Sequence, residues 1–380
     1  MGPVVAIIAL CSFVIILWQF AVALRFPMHR RLTAKSGFLP SVTVIKPIKG
    51  TDEFTAGCLR SWLNQDYKGR MQIIFAVDSK DDPASKICSE LLREFPDVDA
   101  QLVVCNGRYG SNAKVSKLVE ITPLIKHQIV IVSDADVLAS KDLISGSMAL
   151  FEKENIGLVC CFYTLANPQT LAMKWEAVAI NADFWSQVLQ AKSLKPINFA
   201  LGAVMMIRKA ALEKIGGFKA VVDKLADDYW LGRLISENGY EVELSPIVVE
   251  CFHPPTYWRD TFAHQLRWGR TIRVCEPIPY FFSILSNLTL WAVLCLIANP
   301  SPYGIGFFAL AIFTRCSTGA IYQKRLTQSS GKFYQVIMPP IKDLIHFIIW
   351  VLSFAGNTVE WRGKRYRVTK DGRMLSGDYT

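Results

Sequence analysis

The run PVVAIIALCSFVIILWQFAVAL (residues 3–24) holds 22 residues without one charge. A bilayer core takes ~20 apolar residues, and a chain crossing it must close its backbone hydrogen bonds internally. The run therefore predicts one membrane-spanning helix, 1–24. It is longer than a signal-peptide core, and no small-residue cleavage site follows. The next stretch, RFPMHRRLTAK, carries four Lys or Arg and one His. Basic residues stay on the cytoplasmic side of a span. The expected topology puts the N-terminus outside and the next domain on the cytosolic face, at a bacterial inner membrane or a Golgi/ER-type membrane.

Composition agrees with a membrane protein that also has a large folded domain. Hydrophobic residues make up 51%, and the formal net charge is +10. A basic balance predicts anionic partners, and the hydrophobicity favours a lipid bilayer and nucleotide phosphates over nucleic acid. The ten cysteines form no C-x-x-C pair. They read as reduced thiols in a cytosolic compartment, with neither zinc spacing nor a disulfide framework.

The C-terminal third is apolar again, and 276–360 is expected to hold the remaining membrane segments. Residues 278–298 and 303–321 read as two spans around the turn NPSPYG. Residues 336–356 hold Pro339, Pro340, Lys342, Asp343 and His346. They are expected to be re-entrant or interfacial, which keeps the basic WRGKRYR and the tail 361–380 cytosolic.

Between these parts, 25–275 reads as one cytosolic domain. Apolar strands at 41–46, 71–77, 101–105 and 129–133 alternate with helical patterns at 55–64, 83–95, 113–125 and 141–152. That alternation predicts a Rossmann-like α/β domain with a mostly parallel sheet. Ligands on such sheets bind beyond the carboxyl ends of the strands.

Acidic residues occupy those ends. Asp78 follows one strand; Asp134 and Asp136 follow another. In extended backbone, residues i and i+2 point the same way, so both carboxylates are expected to face one divalent cation. Hard oxygen ligands suit Mg²⁺ or Mn²⁺, completed by substrate phosphates. In LADDYWLG, Asp227 reads as a helix cap, leaving Asp228 free to act as a general base. KPIKG follows the first strand and is expected to touch a nucleotide through Lys46 or Pro47. Asp81 and Asp82 read as loop-solvating residues, and His127, His253 and His346 as structural. The helix predicted over 256–273 repeats Arg267, Arg270 and Arg273 with Trp258 and Trp268 between, a pattern of membrane-surface helices.

In that order, these motifs resemble the ceramide glucosyltransferases over nearly the whole chain. Those are membrane-bound, inverting enzymes with a GT-A catalytic domain. They are similar to the wider group of cellulose and hyaluronan synthases, whose signature is D, D-x-D, D, Q/R-x-x-R-W. The resemblance implies nucleotide contact at Asp78, and donor contacts at Asn112 and Lys114 in GSNAKVSKL. It implies donor and metal roles for Asp134 and catalysis by Asp228. Asp136 carries over from the wider group as a metal ligand. Arg267 is implied near the diphosphate and Trp268 against the acceptor. His264 stands where Gln or Arg is usual, and is placed with Trp268 at the acceptor.

The implied reaction moves glucose from UDP-glucose to the primary hydroxyl of ceramide, giving β-glucosylceramide. The chain is about as similar to bacterial relatives that place an N-acetylhexosamine on a hopanoid polyol. A polyprenyl-phosphate sugar transferase is the next alternative. A processive polysaccharide synthase would need more spans.

Overall fold

The computed structural model describes residues 2–32, 37–329, 332–361 and 363–376. Of the segments singled out above, residues 33–36 of the basic flank, Arg362 and residues 377–380 lie outside these. Contacts divide the chain into two compact units. One is Pro27–Asn167 with Pro196–Pro254; the other is Met1–Phe26 with Pro168–Lys195 and Pro255–Thr380.

The first unit is built on eight strands: β1 (Val42–Pro47), β2 (Met71–Val77), β3 (Ala100–Val104), β4 (Ile129–Ser133), β5 (Val137–Leu138), β6 (Ile156–Leu165), β7 (Val204–Arg208) and β8 (Glu241–Cys251). Their order is β3-β2-β1-β4-β7-β6-β8-β5. β1 to β4 run parallel, as the alternation predicts. β7 then enters antiparallel to both β4 and β6, so the sheet is mixed. β1 and β4 are buried along their whole length, which is why they read as unbroken apolar runs rather than alternating ones. Trp62, Phe75, Ile131 and Val159 lie in one continuous core.

Helices Pro83–Glu94 and Ala113–Ile121 follow β2 and β3. Asp82 caps the first, its side chain accepting from Ala84 N at 2.9 Å. It also accepts from Gly50 N at 3.1 Å. The residue expected to solvate a loop therefore starts a helix and pins the turn after β1. All ten cysteines are free.

In the second unit, Gly2–Arg25 is a single helix, as its uncharged sequence requires. Three helices are long and apolar enough to cross a membrane: Gly2–Arg25, Pro302–Thr327 and Phe333–Ser353. Pro302–Thr327 coincides with the span expected at 303–321, and Phe333–Ser353, expected to be re-entrant or interfacial, is also long and apolar enough to cross. Pro277–Ser286 and Leu288–Ala298 are bent by 56° at a break, a broken span or re-entrant pair. Phe333–Ser353 is continuous through Pro339 and Pro340.

The charges that argued against a span at 336–356 are neutralised inside the unit. Arg315 Nε lies 2.8 Å from Asp343 Oδ2, and its Nη2 lies 2.7 Å from Asp183 Oδ2. Lys342 pairs with Asp183 and lies 3.0 Å from Asp343 Oδ1. Two cations and two carboxylates balance, so none is left alone in an apolar setting. Close helix approach helps: a Cβ on Gly319 would lie 2.6 Å from Pro339 Cγ.

Residues 168–195 and 255–275 group with these helices rather than with the sheet. Asp183, on a π-helical stretch Ala179–Phe184, ties the first segment to Arg315 and Lys342. Strands β9 (Thr358–Trp361), β10 (Lys364–Val368) and β11 (Met374–Ser376) form a small antiparallel sheet in the tail.

Candidate active site

β4 stops at Ser133, and residues 134–136 turn before β5, which pairs with β8. Asp134 and Asp136 thus lie outside the strands, and their carboxylates have different partners. Lys114 Nζ lies 2.9 Å from Asp134 Oδ1, and His253 Nε2 lies 3.2 Å from Asp136 Oδ2. His253, read from sequence as structural, stands beside the acidic pair.

Two like charges so close need a positive neighbour, and lysines supply part of it. Lys46 is fully buried in β1. Its Nζ donates to Ser133 Oγ at 3.0 Å and to the Asp134 carbonyl, and lies 4.7 Å from the Trp62 ring centre. Burial pulls its pKa down to about 8, against the pull of Asp136 and Asp134. Burial, helped by the charge of Asp134, pushes the Asp136 carboxyl up.

Lys114 carries the network onward, lying 3.2 Å from Asp227 Oδ2. Burial opposes its charge, but Asp134 and Asp227 outweigh burial and hold it as ammonium. Asp227 is the first residue of helix Asp227–Glu237, whose N-cap position is Ala226. It pairs with Lys114 instead of capping. Asp228 Oδ1 accepts from Tyr229 N at 2.8 Å. A Cβ on Gly202 would lie 2.7 Å from Asp228 Oδ2, so only glycine lets the backbone come this close.

Burial, then the charge of Asp227, raises the Asp228 pKa to about 6, with Lys114 pulling it back. Acting as the general base expected from the sequence, Asp228 must be ionised to accept a proton, and activity is expected to fall as pH drops through that value. The expected kcat/KM profile has an acid limb near pH 6 that flattens above it. Asp227→Asn removes a nearby negative charge and should move that limb to lower pH. An unmoved limb in a pH–rate measurement removes Asp228 as its source.

Asp78, at the end of β2, lies 2.9 Å from Lys117 Nζ and 3.9 Å from Lys49 Nζ. Lys117 also donates to Ile48 O at 2.7 Å, tying the end of β1 to β2. Pro47 sits opposite Ala76 in the ladder. Asn112 caps helix Ala113–Ile121, accepting from Val115 N at 3.1 Å and donating to Lys224 O at 2.9 Å. Its side chain is spent on protein contacts. The structure thus links Lys46, Lys114, Asp134, Asp136 and Asp228 and adds Asp227 and His253, while Lys117 joins Asp78. Lys117 is legible in hindsight, three residues after Lys114 on one helix face.

His264, Arg267 and Trp268 lie on helix Trp258–Cys275 in the other unit. The Trp268 ring is 5.0 Å from His264 and 5.9 Å from Phe184. Arg270 donates to Thr358 O at 2.5 Å and Ala355 O at 3.2 Å, and Arg273 to Gly356 O at 3.1 Å. These two arginines, which the sequence pattern aimed at a membrane surface, clamp the backbone after helix Phe333–Ser353.

The family model described as Glycosyl transferase family 21 matches residues 4–374. The chain belongs to glycosyltransferase family 21. Among family relatives, ceramide glucosyltransferase 3 of Caenorhabditis elegans is 23% identical over 249 residues, 64% of this chain and 54% of its own length. A beta-monoglucosyldiacylglycerol synthase of Trichormus variabilis is 25% identical over 209 residues, 54% of this chain and 43% of its own. The chain spans about half the length of the curated relatives it matches. Among solved structures, the mannosyltransferase PcManGT of Pyrobaculum calidifontis aligns with TM-score 0.54 and 18% identity, over 92% of this chain and 98% of that one. That likeness establishes the fold, a GT-A-type mixed sheet.

Proposed function

We propose that this family 21 protein is a membrane-bound inverting hexosyltransferase acting on a lipid hydroxyl. The leading pair is UDP-glucose and ceramide, giving β-glucosylceramide. The observation that carries it is Asp228, with a pKa raised to about 6 and linked through Asp227 and Lys114 to Asp134 at the end of β4. Glucosyl transfer to diacylglycerol is the second reading, favoured by the glycerolipid synthase among the relatives. N-acetylhexosamine transfer to a hopanoid polyol is a further alternative.

In the proposed step the lipid hydroxyl oxygen attacks the anomeric carbon while Asp228 takes its proton. The bond from that carbon to the phosphate oxygen breaks, and its electron pair leaves with UDP. One displacement inverts the centre and needs no covalent enzyme intermediate. Lys114 holds Asp134 and Asp227 in place, and Gly202 leaves room for Asp228. Asp78 and the turn after β1 are proposed donor contacts. The motif roles of Arg267 toward the diphosphate and Trp268 toward the acceptor belong to the same proposal.

The acidic pair is the proposed site for a divalent cation. Asp136 is held up by burial and by Asp134, and both offer hard oxygen. Among the described residues no three His, Cys, Asp or Glu side chains converge to hold a metal alone. Asp134 and Asp136 would hold it with the donor's phosphates. Bound there, Mg²⁺ or Mn²⁺ would supply charge neutralisation for the departing diphosphate.

The three apolar helices support membrane attachment. The basic flank supports a cytosolic catalytic face. The test is transfer by detergent-solubilised protein. UDP-glucose and UDP-N-acetylglucosamine are offered with ceramide, diacylglycerol or a hopanoid polyol, with and without EDTA. Hexosylceramide that disappears with EDTA is the expected product. No lipid product from any pair overturns the proposal.

A further inference from the structure

The small sheet in the tail has two unlike faces. Tyr366 and Val368 of β10 are buried, and so are the residues opposite them in the ladder, Val359 of β9 and Met374 of β11. Side chains alternate along a strand, so Arg365 and Arg367 stand on the other face. Both are exposed, as are Glu360 and Thr358 opposite them in β9. Leu375 of β11, opposite Arg367, is 45% exposed. Lys364 at the start of β10 and Lys370 in the turn after it are exposed as well.

Little on the sheet offsets this charge. Arg373 is taken by Asp371 at 2.8 Å. Among the described residues no ion pair forms at Lys364, Arg365, Arg367 or Lys370. Such cations repel one another, and an anionic surface relieves that repulsion.

Position supplies the partner. Only residues 354–357 separate the apolar helix Phe333–Ser353 from β9. Fully extended, they span about 14 Å at most. Arg270 and Arg273 hold them back through the carbonyls of Ala355, Gly356 and Thr358. Aromatic rings gather at that end of the helix. The ring centre of Trp350 lies 4.9 Å from Phe354 and 5.9 Å from Phe281, and Tyr280 lies 5.8 Å from Phe354. Aromatic side chains collect at the headgroup level of a bilayer. The basic face is thus tethered close to lipid phosphate, where each Lys or Arg is attracted to an anionic surface. Exposed Leu375 beside Arg367 suits the same boundary, which takes basic and apolar groups together. A nucleic acid or free nucleotide would leave that leucine in water.

We propose that the outer face of the tail sheet, centred on Arg365 and Arg367, docks on anionic phospholipid headgroups and seats the end of helix Phe333–Ser353 at the membrane surface. This goes beyond the reaction proposed above and holds for any sugar and any lipid acceptor.

The test is hydrogen exchange on full-length protein in nanodiscs of phosphatidylcholine, with and without phosphatidylglycerol. A sheet of three short strands opens locally, and docking slows its exchange by the factor that it stabilises the closed form. Each basic residue at an anionic surface contributes about fivefold, so Arg365 and Arg367 together should slow exchange of β9 and β10 by roughly 25-fold. Molar salt should remove the effect. Arg365→Ser combined with Arg367→Ser changes two exposed positions and leaves the buried face alone. This variant should match the wild type in phosphatidylcholine and lose the slowing in anionic discs. Equal wild-type exchange in both lipids overturns the proposal, as does slowing that survives in the double variant. UDP added to phosphatidylcholine discs should leave the sheet unchanged. Slowing by UDP there would make the basic face a nucleotide phosphate site and overturn the docking role.

Discussion

Asp228→Asn should abolish nearly all transfer to lipid while leaving the fold intact. General-base assistance contributes ~10²–10⁴-fold, and Asn cannot take the proton. The change is nearly isosteric, so Gly202 still fits beneath it. Oδ1 still accepts from Tyr229 N, the bond seen at 2.8 Å. The variant should keep its thermal transition and its affinity for UDP, measured by calorimetry, because Asp228 is assigned to the acceptor's proton. Turnover near wild type would remove the residue from that role. Intact turnover with a lost acid limb would place another base in the reaction.

Arg315→Leu should be the most destabilising single change in the apolar unit. Arg315 is 3% exposed and serves both Asp183 and Asp343. Removing one partner from a buried ionic network costs ~3–5 kcal/mol, because the remaining charges stay buried without it. The expected readout is loss of monodisperse protein on extraction, or a large drop in melting temperature. Adding Asp343→Asn should recover part of the loss by removing one orphaned carboxylate. A single variant as stable as wild type would mean the network contributes little. This prediction is independent of the reaction, since it concerns helices Pro302–Thr327 and Phe333–Ser353 and the π-helical stretch.

Much of the sheet was legible because its first four strands are short apolar runs separated by helical periodicity. The spans β1, β2, β3 and β4 agree with the alternation within a residue or so. The antiparallel insertion of β7 was not legible, since strand direction depends on partners far along the chain. Among membrane segments, Gly2–Arg25 followed from hydropathy alone. The continuous helix Phe333–Ser353 did not, because hydropathy counts Lys342 and Asp343 as exposed costs. Arg315 and Asp183, distant in sequence, cancel them.

The acidic motifs show the same division. Local spacing alone places Asp78, Asp134 and Asp136 after strands and Asp228 at a helix start, with lysines near them. The sequence by itself determined the first span, the α/β alternation and the family signature, because each depends only on local spacing and side-chain chemistry. How those charges are neutralised depends on tertiary packing. Lys114 joins Asp134 to Asp227, two carboxylates far apart in the chain. His253 comes to Asp136, Asn112 is spent as a cap, and Glu176 reaches His264. Ion pairs and buried hydrogen bonds act over a few ångströms of space and are blind to sequence distance, so packing had to place these groups before their partners could be named.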